Sequence, residues 1–154
     1  MPDIIQRAVP WLRIDPRRVY AVGGSMGGQE TLLLVARFPH LLAGAAAFDA
    51  PTNMAARYRA FDNLRFGGGL QRLARLEIGG TPATDPEGYE IRSPLDWARK
   101  IAFSGVPLQI WWSSRDTMSP IKLDSQASST ATSCASIRLR RSLSSSAPGR
   151  TRRR

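Results

Sequence analysis

The chain of 154 residues contains very few side chains that bind metal ions or form cross-links. It has one cysteine, Cys134, and one histidine, His40, which excludes an internal disulfide and a Cys/His metal site. It contains no run of 18 apolar residues and no recognisable signal peptide. We therefore expect no metal, no cofactor and no membrane partner, and the sequence leaves the compartment and the oligomeric state open.

Acidic residues are also scarce, at 12 against 22 Lys plus Arg, and the formal net charge is +10. Most of the excess lies in residues 121–154, which contain eight Lys or Arg and one Asp. Residues 125–154 include twelve Ser or Thr and only three large aliphatic side chains. Such a segment cannot bury enough apolar surface to offset its ordering entropy. We therefore expect one folded domain at residues 1–124 and a disordered tail at 125–154.

The basic tail has two interpretations. An arm that neutralises phosphates would make the protein a nucleic-acid binder whose affinity depends on salt. A Ser- and Arg-rich end that begins abruptly is also what a GC-rich coding sequence yields when it is read in a shifted frame. We favour the shifted frame over a nucleic-acid partner. The hypothesis fails if the other reading frames beyond Asp124 encode no strand followed by a histidine.

The most informative stretch is "YAVGGSMGGQETLLLVARFPH", residues 20–40. Residues 19–22 are apolar and aromatic, which predicts a buried strand. Residues 29–38 are rich in helix formers and place apolar side chains at helical spacing. Since only glycines, Ser25 and Met26 lie between these segments, the sequence predicts a strand, a tight turn and a helix in direct succession.

The turn fits the pattern G-x-S-x-G, with Gly23, Ser25 and Gly27 at the three fixed positions. This pattern is typical of a nucleophile elbow, in which flanking glycines let strand and helix approach closely and a strained serine exposes its hydroxyl. The adjacent helix start would favour an oxyanion. The alternative is a purely structural turn. A phosphate-binding loop is not supported, because neither G-x-x-x-x-G-K-[ST] nor G-x-G-x-x-G is present.

The stretch "VYAVGGSMGGQETLLLVARFPHLLAGAAAFDAP" resembles the α/β-hydrolases of the prolyl oligopeptidase type, which comprise peptidases and related esterases. The resemblance extends more loosely from about Asp3 to Pro120. It implies an α/β-hydrolase fold, a parallel sheet with flanking helices, and a peptide or ester substrate. By this resemblance Ser25 is the nucleophile, the backbone N–H of Met26 is one oxyanion donor, and His40 lies too early in the chain to be the base.

A second strand is predicted at residues 106–112, and the polar turn after it contains Asp116. Ligands of parallel sheets bind outside the carboxyl ends of the strands, so Ser25 and Asp116 could converge there. The order Ser before Asp is the hydrolase order. The resemblance assigns Asp116 as the catalytic acid through its strand-then-D-x-x-x-P pattern. The alternative is that this aspartate only forms the turn.

The resemblance also implies parts that this sequence does not contain. A catalytic histidine should follow the acid, and no residue after His40 is histidine. Several strands and a second oxyanion donor should precede the elbow strand, where only one amphipathic segment, residues 3–13, is present. We therefore expect a partial α/β-hydrolase fold.

The region between the elbow helix and residue 106 is predicted to be a short strand followed by mostly helical structure. Asp49, at the end of that strand, could line the site, although a role as turn former before Pro51 is favoured. The predicted elements are a strand at 44–48, helices at 54–61 and 70–78 separated by glycines 67–69, a helix end at Gly79, a loop at 81–90, and a helix capped by Ser93 with Asp96 in capping-box position.

Three functions stay open on this evidence. The first is a serine hydrolase in which Ser25 attacks an acyl carbonyl, Met26 N–H holds the oxyanion and Asp116 would orient a histidine. The second is a non-catalytic remnant of such an enzyme. The third is a binding protein that uses its basic tail. We take the first as the working hypothesis, with the reservation that this chain has no histidine in the expected place.

Overall fold

The computed structural model describes residues 14–112 together with the isolated Arg7. The amphipathic segment at 3–13, Asp116, the domain end at 124 and the tail at 125–154 lie outside the described residues. The predictions made for them remain predictions.

Helices connect the strands of the described chain, one between the first two strands and four between the second and the third, which is consistent with the predicted α/β class. The strands are β1 (Tyr20–Gly24), β2 (Gly44–Phe48) and β3 (Leu108–Trp111). The helices are α1 (Met26–Arg37), α2 (Met54–Ala60), α3 (Gly67–Ile78), α4 (Pro86–Ile91) and α5 (Ala98–Ala102), with short 3-10 turns at Pro16–Arg18, Pro39–Leu41, Phe61–Asn63 and Pro94–Trp97.

The three strands form one parallel sheet in the order β1-β2-β3. Gly24, Phe48 and Trp111 are in register, so the strands end together at one edge of the sheet. Helices flank this sheet, which confirms the predicted class of a parallel sheet with flanking helices. The edge where the strands end is called the carboxyl edge below.

The two faces of the sheet differ in how they are covered. Helix α1 packs across β1 and β2, and small side chains face it, among them the buried Ala45 and Ala47. The opposite face carries large apolar side chains that are between 40 % and 69 % exposed, with two of the rings stacked at 6.4 Å. These are Tyr20, Val22, Phe48 and Trp111. The core therefore lies between the sheet and α1.

Helix α3 begins earlier than predicted. The glycines at 67–69, expected to separate two helices, form its first turn instead. Gly67 belongs there because a Cβ on it would lie against the backbone carbonyl of Phe61. The helix ends at Gly79 with φ 111°, the left-handed conformation that the sequence predicts there.

The predicted loop at 81–90 is wrong in its second half, which forms helix α4. Asp85 caps this helix, with its side chain accepting a hydrogen bond from Gly88 N–H, and Pro86 occupies the first turn. Tyr89 of α4 is 1 % exposed, donates its hydroxyl to the Gly80 carbonyl at 3.1 Å and packs edge-on against Tyr58. Burial raises the pKa of Tyr89.

Ser93 occupies the predicted N-cap position, but its hydroxyl does not cap the 3-10 turn that follows. The hydroxyl donates to the Tyr89 carbonyl at 2.7 Å and accepts from Met54 N–H at 3.0 Å. The buried Ser93 thus joins the end of α4 to the start of α2. The proposed capping box with Asp96 is absent, because the side chain of Ser93 is used elsewhere.

Candidate functional site

Ser25 links β1 directly to α1 at the carboxyl edge, and its backbone is strained. Its φ of 52° and ψ of −120° lie outside the regions that residues other than glycine normally occupy. Two backbone hydrogen bonds hold this conformation. Ser25 N–H donates to the Phe48 carbonyl at 2.8 Å, and the Ser25 carbonyl accepts from Gln29 N–H at 3.1 Å. Strain of this kind costs about 1–3 kcal/mol and persists at functional positions that the surrounding structure over-determines.

The hydroxyl of Ser25 is not used to stabilise the helix. A serine at a helix start normally accepts a hydrogen bond from a backbone N–H of the first turn. Here Ser25 makes no such side-chain bond, and the residue is exposed. The first backbone N–H groups of α1, beginning with Met26, have no acceptor within the helix. The hydroxyl and these N–H donors therefore lie together at the open end of the helix.

Two glycines make this close approach of strand and helix possible. A Cβ on Gly23 would lie against the Gly27 carbonyl oxygen, closer than any allowed contact. A Cβ on Gly28 would lie 2.9 Å from the Cβ of Ala50. The sequence analysis singled out Gly23 and Gly27. A Cβ on Gly27 would meet no atom within 4 Å, so the second close-packed position is Gly28 rather than Gly27.

Asp49 is the second residue other than glycine with a positive φ, 44°, among the described residues. It follows β2 at the carboxyl edge, and its N–H donates to the Trp111 carbonyl at 2.8 Å. Asp49 and Ser25 therefore end adjacent strands in strained conformations at the same edge. This position is compatible with both earlier interpretations, a residue lining the site and a turn former.

His40 lies at the other end of α1. It is exposed in the 3-10 turn Pro39–Leu41, directly after the helix that Ser25 begins. Helix α1 has 12 residues, and at about 1.5 Å per residue its axis is roughly 18 Å long. A general base must lie within hydrogen-bond reach of its proton donor. His40 is therefore not the base for Ser25 of the same chain.

Gln29 is a buried residue near Ser25 that the sequence analysis did not single out. It is fully buried, and its Nε2 donates to the Arg92 carbonyl at 2.6 Å just beyond α4. Its Oε1 is buried without a hydrogen-bond partner. About two turns further along the same helix, Arg37 Nη2 donates to the Ile91 carbonyl at 2.6 Å. Two side chains of α1 thus tie the elbow helix to carbonyls at the end of α4. A glutamine directly after Gly28 gives no sequence signal for such a contact.

Within residues 14–112, no group of three His, Cys, Asp or Glu side chains is placed to hold a metal ion. None of the described helices is long and apolar enough to cross a membrane. The third predicted site residue, Asp116, lies outside the described part of the chain, which ends one residue after β3. The structure therefore brings together Ser25, Met26 and the glycines of the turn, and it separates them from His40.

Comparisons with known proteins add no family to this description. No family model matches the sequence, and no curated protein shows significant similarity to it. A function has to be argued from the geometry of the turn itself.

Proposed function

We propose that Ser25 is the nucleophile of a serine hydrolase acting on the acyl bond of a peptide or ester. The observation that carries this proposal is the backbone of Ser25, strained at φ 52° and ψ −120° between a strand and a helix at the carboxyl edge. The hydroxyl is exposed and makes no capping bond, so its strained placement has no use in stabilising the helix. An exposed serine on a strained strand-to-helix turn is the arrangement of a nucleophile elbow.

In the reaction Ser25 Oγ would attack the acyl carbonyl carbon and form an ester with it. The proton of the hydroxyl passes to a general base, and the amine or alcohol of the substrate leaves with a proton. The negative charge on the carbonyl oxygen would be held by Met26 N–H at the positive end of α1. Water then cleaves the acyl-enzyme and restores the serine. The expected fold around this site is that of an α/β-hydrolase, of which residues 14–112 would be the middle.

The base is the part of this mechanism that Ser25 lacks. Because His40 lies at the far end of α1 and is the one histidine of the sequence, a neutral imidazole does not reach Ser25 from within this chain. We therefore expect the chain to contain a positioned serine that is not activated. The role of Asp116 as the acid that orients a base remains part of the proposal.

Added imidazole can test the proposal because Ser25 is exposed. A fluorophosphonate probe reacts with a serine when Oγ displaces fluoride from phosphorus and a base takes the proton. We expect slow labelling of the wild-type chain that rises with imidazole concentration and maps to Ser25 by mass spectrometry. Ser25→Ala should remove this labelling. The control Ser104→Ala changes a partly exposed loop serine whose hydroxyl accepts a hydrogen bond from Val106 N–H, and it should keep the labelling.

Two results would contradict the proposal. Labelling that is equally fast in Ser25→Ala would assign the reaction to other hydroxyls, including those of the Ser-rich tail. Absence of labelling in the folded wild-type chain at every imidazole concentration would support the alternative of a purely structural turn. Circular dichroism of each variant shows whether the fold is kept.

A further inference from the structure

Helix α3 carries apolar side chains on two opposite sides. One side packs toward α2 and the turn Phe61–Asn63, and its half-buried members are Leu70, Ala74 and Ile78. The other side is open. There Phe66, the N-cap residue directly before the helix, and Leu73 and Leu76 within it are 75 %, 52 % and 73 % exposed. The steps from Phe66 through Gly69 and Leu73 to Leu76 are three, four and three residues, which places these positions along one line on the helix.

This exposed line is unusual for a helix on the surface of a globular protein. Such a helix normally turns charged and polar side chains toward water and keeps a single apolar side for the core. Single exposed leucines need no explanation, but contiguous exposed apolar side chains bordered by polar ones mark an interaction surface. The line formed by Phe66, Leu73 and Leu76 is called the outer stripe below.

Basic side chains border the outer stripe. Arg65, in the turn before α3, and Arg72 of the helix are exposed, and the guanidinium of Arg65 lies 5.5 Å from the ring centre of Phe66. Glu77, four residues after Leu73, is also exposed, so basic side chains outnumber acidic ones at this border without being alone there. Residues 54–78 as a whole contain five arginines against Asp62 and Glu77. The partner of this surface should therefore be apolar at its centre and negatively charged around it.

The size of the stripe separates two kinds of partner. A stable protein interface buries about 800 Å² on each partner and involves roughly 20–30 residues a side. Three side chains on one helix fall far short of this. A helix lying in a bilayer interface needs only a few apolar side chains inserted about 5–10 Å, together with Lys or Arg drawn to anionic lipids.

We propose that α3 docks reversibly on an anionic phospholipid bilayer, with the outer stripe inserted at the headgroup boundary. Arg65 and Arg72 would pair with lipid phosphates on the polar side of the stripe. The expectation of no membrane partner rested on the absence of a long apolar run, which concerns helices that span a bilayer and not one lying on its surface. This proposal is independent of the chemistry proposed for Ser25.

The test uses the full chain and sedimented vesicles of phosphatidylcholine with and without phosphatidylserine. The basic tail attracts anionic vesicles by itself, so every protein compared keeps the tail and binding is measured at one salt concentration, about 0.1 M, at which the pairing of Arg65 and Arg72 with lipid phosphates is retained. The triple variant Phe66→Ser, Leu73→Ser, Leu76→Ser should bind at least about tenfold more weakly, since it removes most of the inserted apolar surface. Phe103→Ser, at a residue 76 % exposed elsewhere on the surface, is the matched control and should change binding less than about twofold.

A second measurement covers the case in which the triple variant does not fold. With Cys134→Ser as background, Phe66→Cys or Phe103→Cys is labelled with an environment-sensitive dye. The dye at 66 should shift to the blue on anionic vesicles, and the dye at 103 should not. Equal vesicle binding by the triple variant and the wild type, or equal dye responses at 66 and 103, would overturn the proposal. So would a triple variant that binds vesicles normally but loses self-association, because the stripe would then be a protein contact.

Discussion

Ser25 and His40, residues of the two types that a serine hydrolase brings together, lie at opposite ends of helix α1. The structure around the N-terminal end differs from that around the C-terminal end. At the first end a strained serine sits between close-packed glycines, with its hydroxyl open to solvent. At the last end the helix ends at Arg37 and runs into a 3-10 turn that contains His40. Nucleophile and imidazole are thus near in sequence and about a helix length apart. The turn at Ser25 therefore has the geometry that we propose for a nucleophile, and the one histidine of the sequence lies away from it.

The largest loss of stability should come from a side chain added where β1 crosses the N-terminal end of α1. Gly23→Ala would place a Cβ against the Gly27 carbonyl oxygen, so β1 and α1 must separate. We expect a loss of at least about 3 kcal/mol in the free energy of unfolding, at the upper end for overpacking. Urea titration followed by circular dichroism measures it.

Gly27→Ala is the matched control for this change. The added Cβ meets no atom within 4 Å, and alanine is the better helix former by up to about 1 kcal/mol. Stability should stay the same or rise slightly. Equal destabilisation of the two alanine variants would contradict the prediction, because the close contact of strand and helix at Gly23 would then not be the cause of the loss.

The burial of Gln29, near the N-terminal end of α1, can be tested by introducing a charged side chain there. Gln29→Glu would aim a buried carboxyl at the Arg92 carbonyl, now hydrogen-bonded by the amide at 2.6 Å. The ionised form is opposed by burial and by the carbonyl dipole, so we expect a loss of about 2–4 kcal/mol at neutral pH.

The sign of the pH dependence follows from burial. The pKa of this glutamate in the folded state would lie above its unfolded value of about 4.3. The ionisation penalty is therefore absent below the unfolded pKa and grows as the pH rises through that value. Urea midpoints of variant and wild type should converge on acidification. A difference in urea midpoint that stays constant across pH would contradict the prediction, because it would show that the side chain at position 29 is hydrated in the folded protein.

A smaller loss of stability is expected from the contacts of Arg37 at the C-terminal end of α1. Arg37→Met would remove the hydrogen bond to the Ile91 carbonyl and the guanidinium that lies 4.7 Å from the Trp97 ring centre. Because Arg37 is exposed, we expect a loss of no more than about 1 kcal/mol, measured as a small fall in the urea midpoint. A loss as large as that of Gln29→Glu would contradict the ranking of the two anchors.

The smallest effect should be that of His40→Gln. His40 is exposed beyond the helix that separates it from Ser25, so neither stability nor imidazole-dependent labelling of Ser25 should change. Loss of labelling with the fold intact would make His40 a base, acting from a second copy of the chain.

Local patterns were enough to predict the parts of this fold that depend on near neighbours. Strand β2 has the predicted bounds, and Gly79 ends α3 in the left-handed conformation. Helix α4 lies where a loop is expected from the sequence, although Asp85 followed by Pro86 is also the pattern of an N-cap and a first helical turn.

The features that depend on distant contacts could not be predicted. Ser93 has the residue type and place of a cap, but Tyr89 and Met54 take its hydroxyl. Likewise, the need for glycine at 28 and the burial of Gln29 follow from what crosses them, Ala50 and Arg92, which no pattern near the turn contains. The strand, the tight turn and the helix around Ser25 follow from the sequence, while the role of Ser25 as a nucleophile remains a proposal.

Turnover of p-nitrophenyl acetate by the purified 154-residue chain without added imidazole, compared with that of Ser25→Ala, tests whether Ser25 is positioned but not activated. We expect equal rates of hydrolysis for the two proteins, both at the background level, because a positioned serine without a general base stays protonated near neutral pH. Turnover by a soluble, monodisperse preparation that disappears in Ser25→Ala would contradict it, since a base would then reach Ser25 from within the chain.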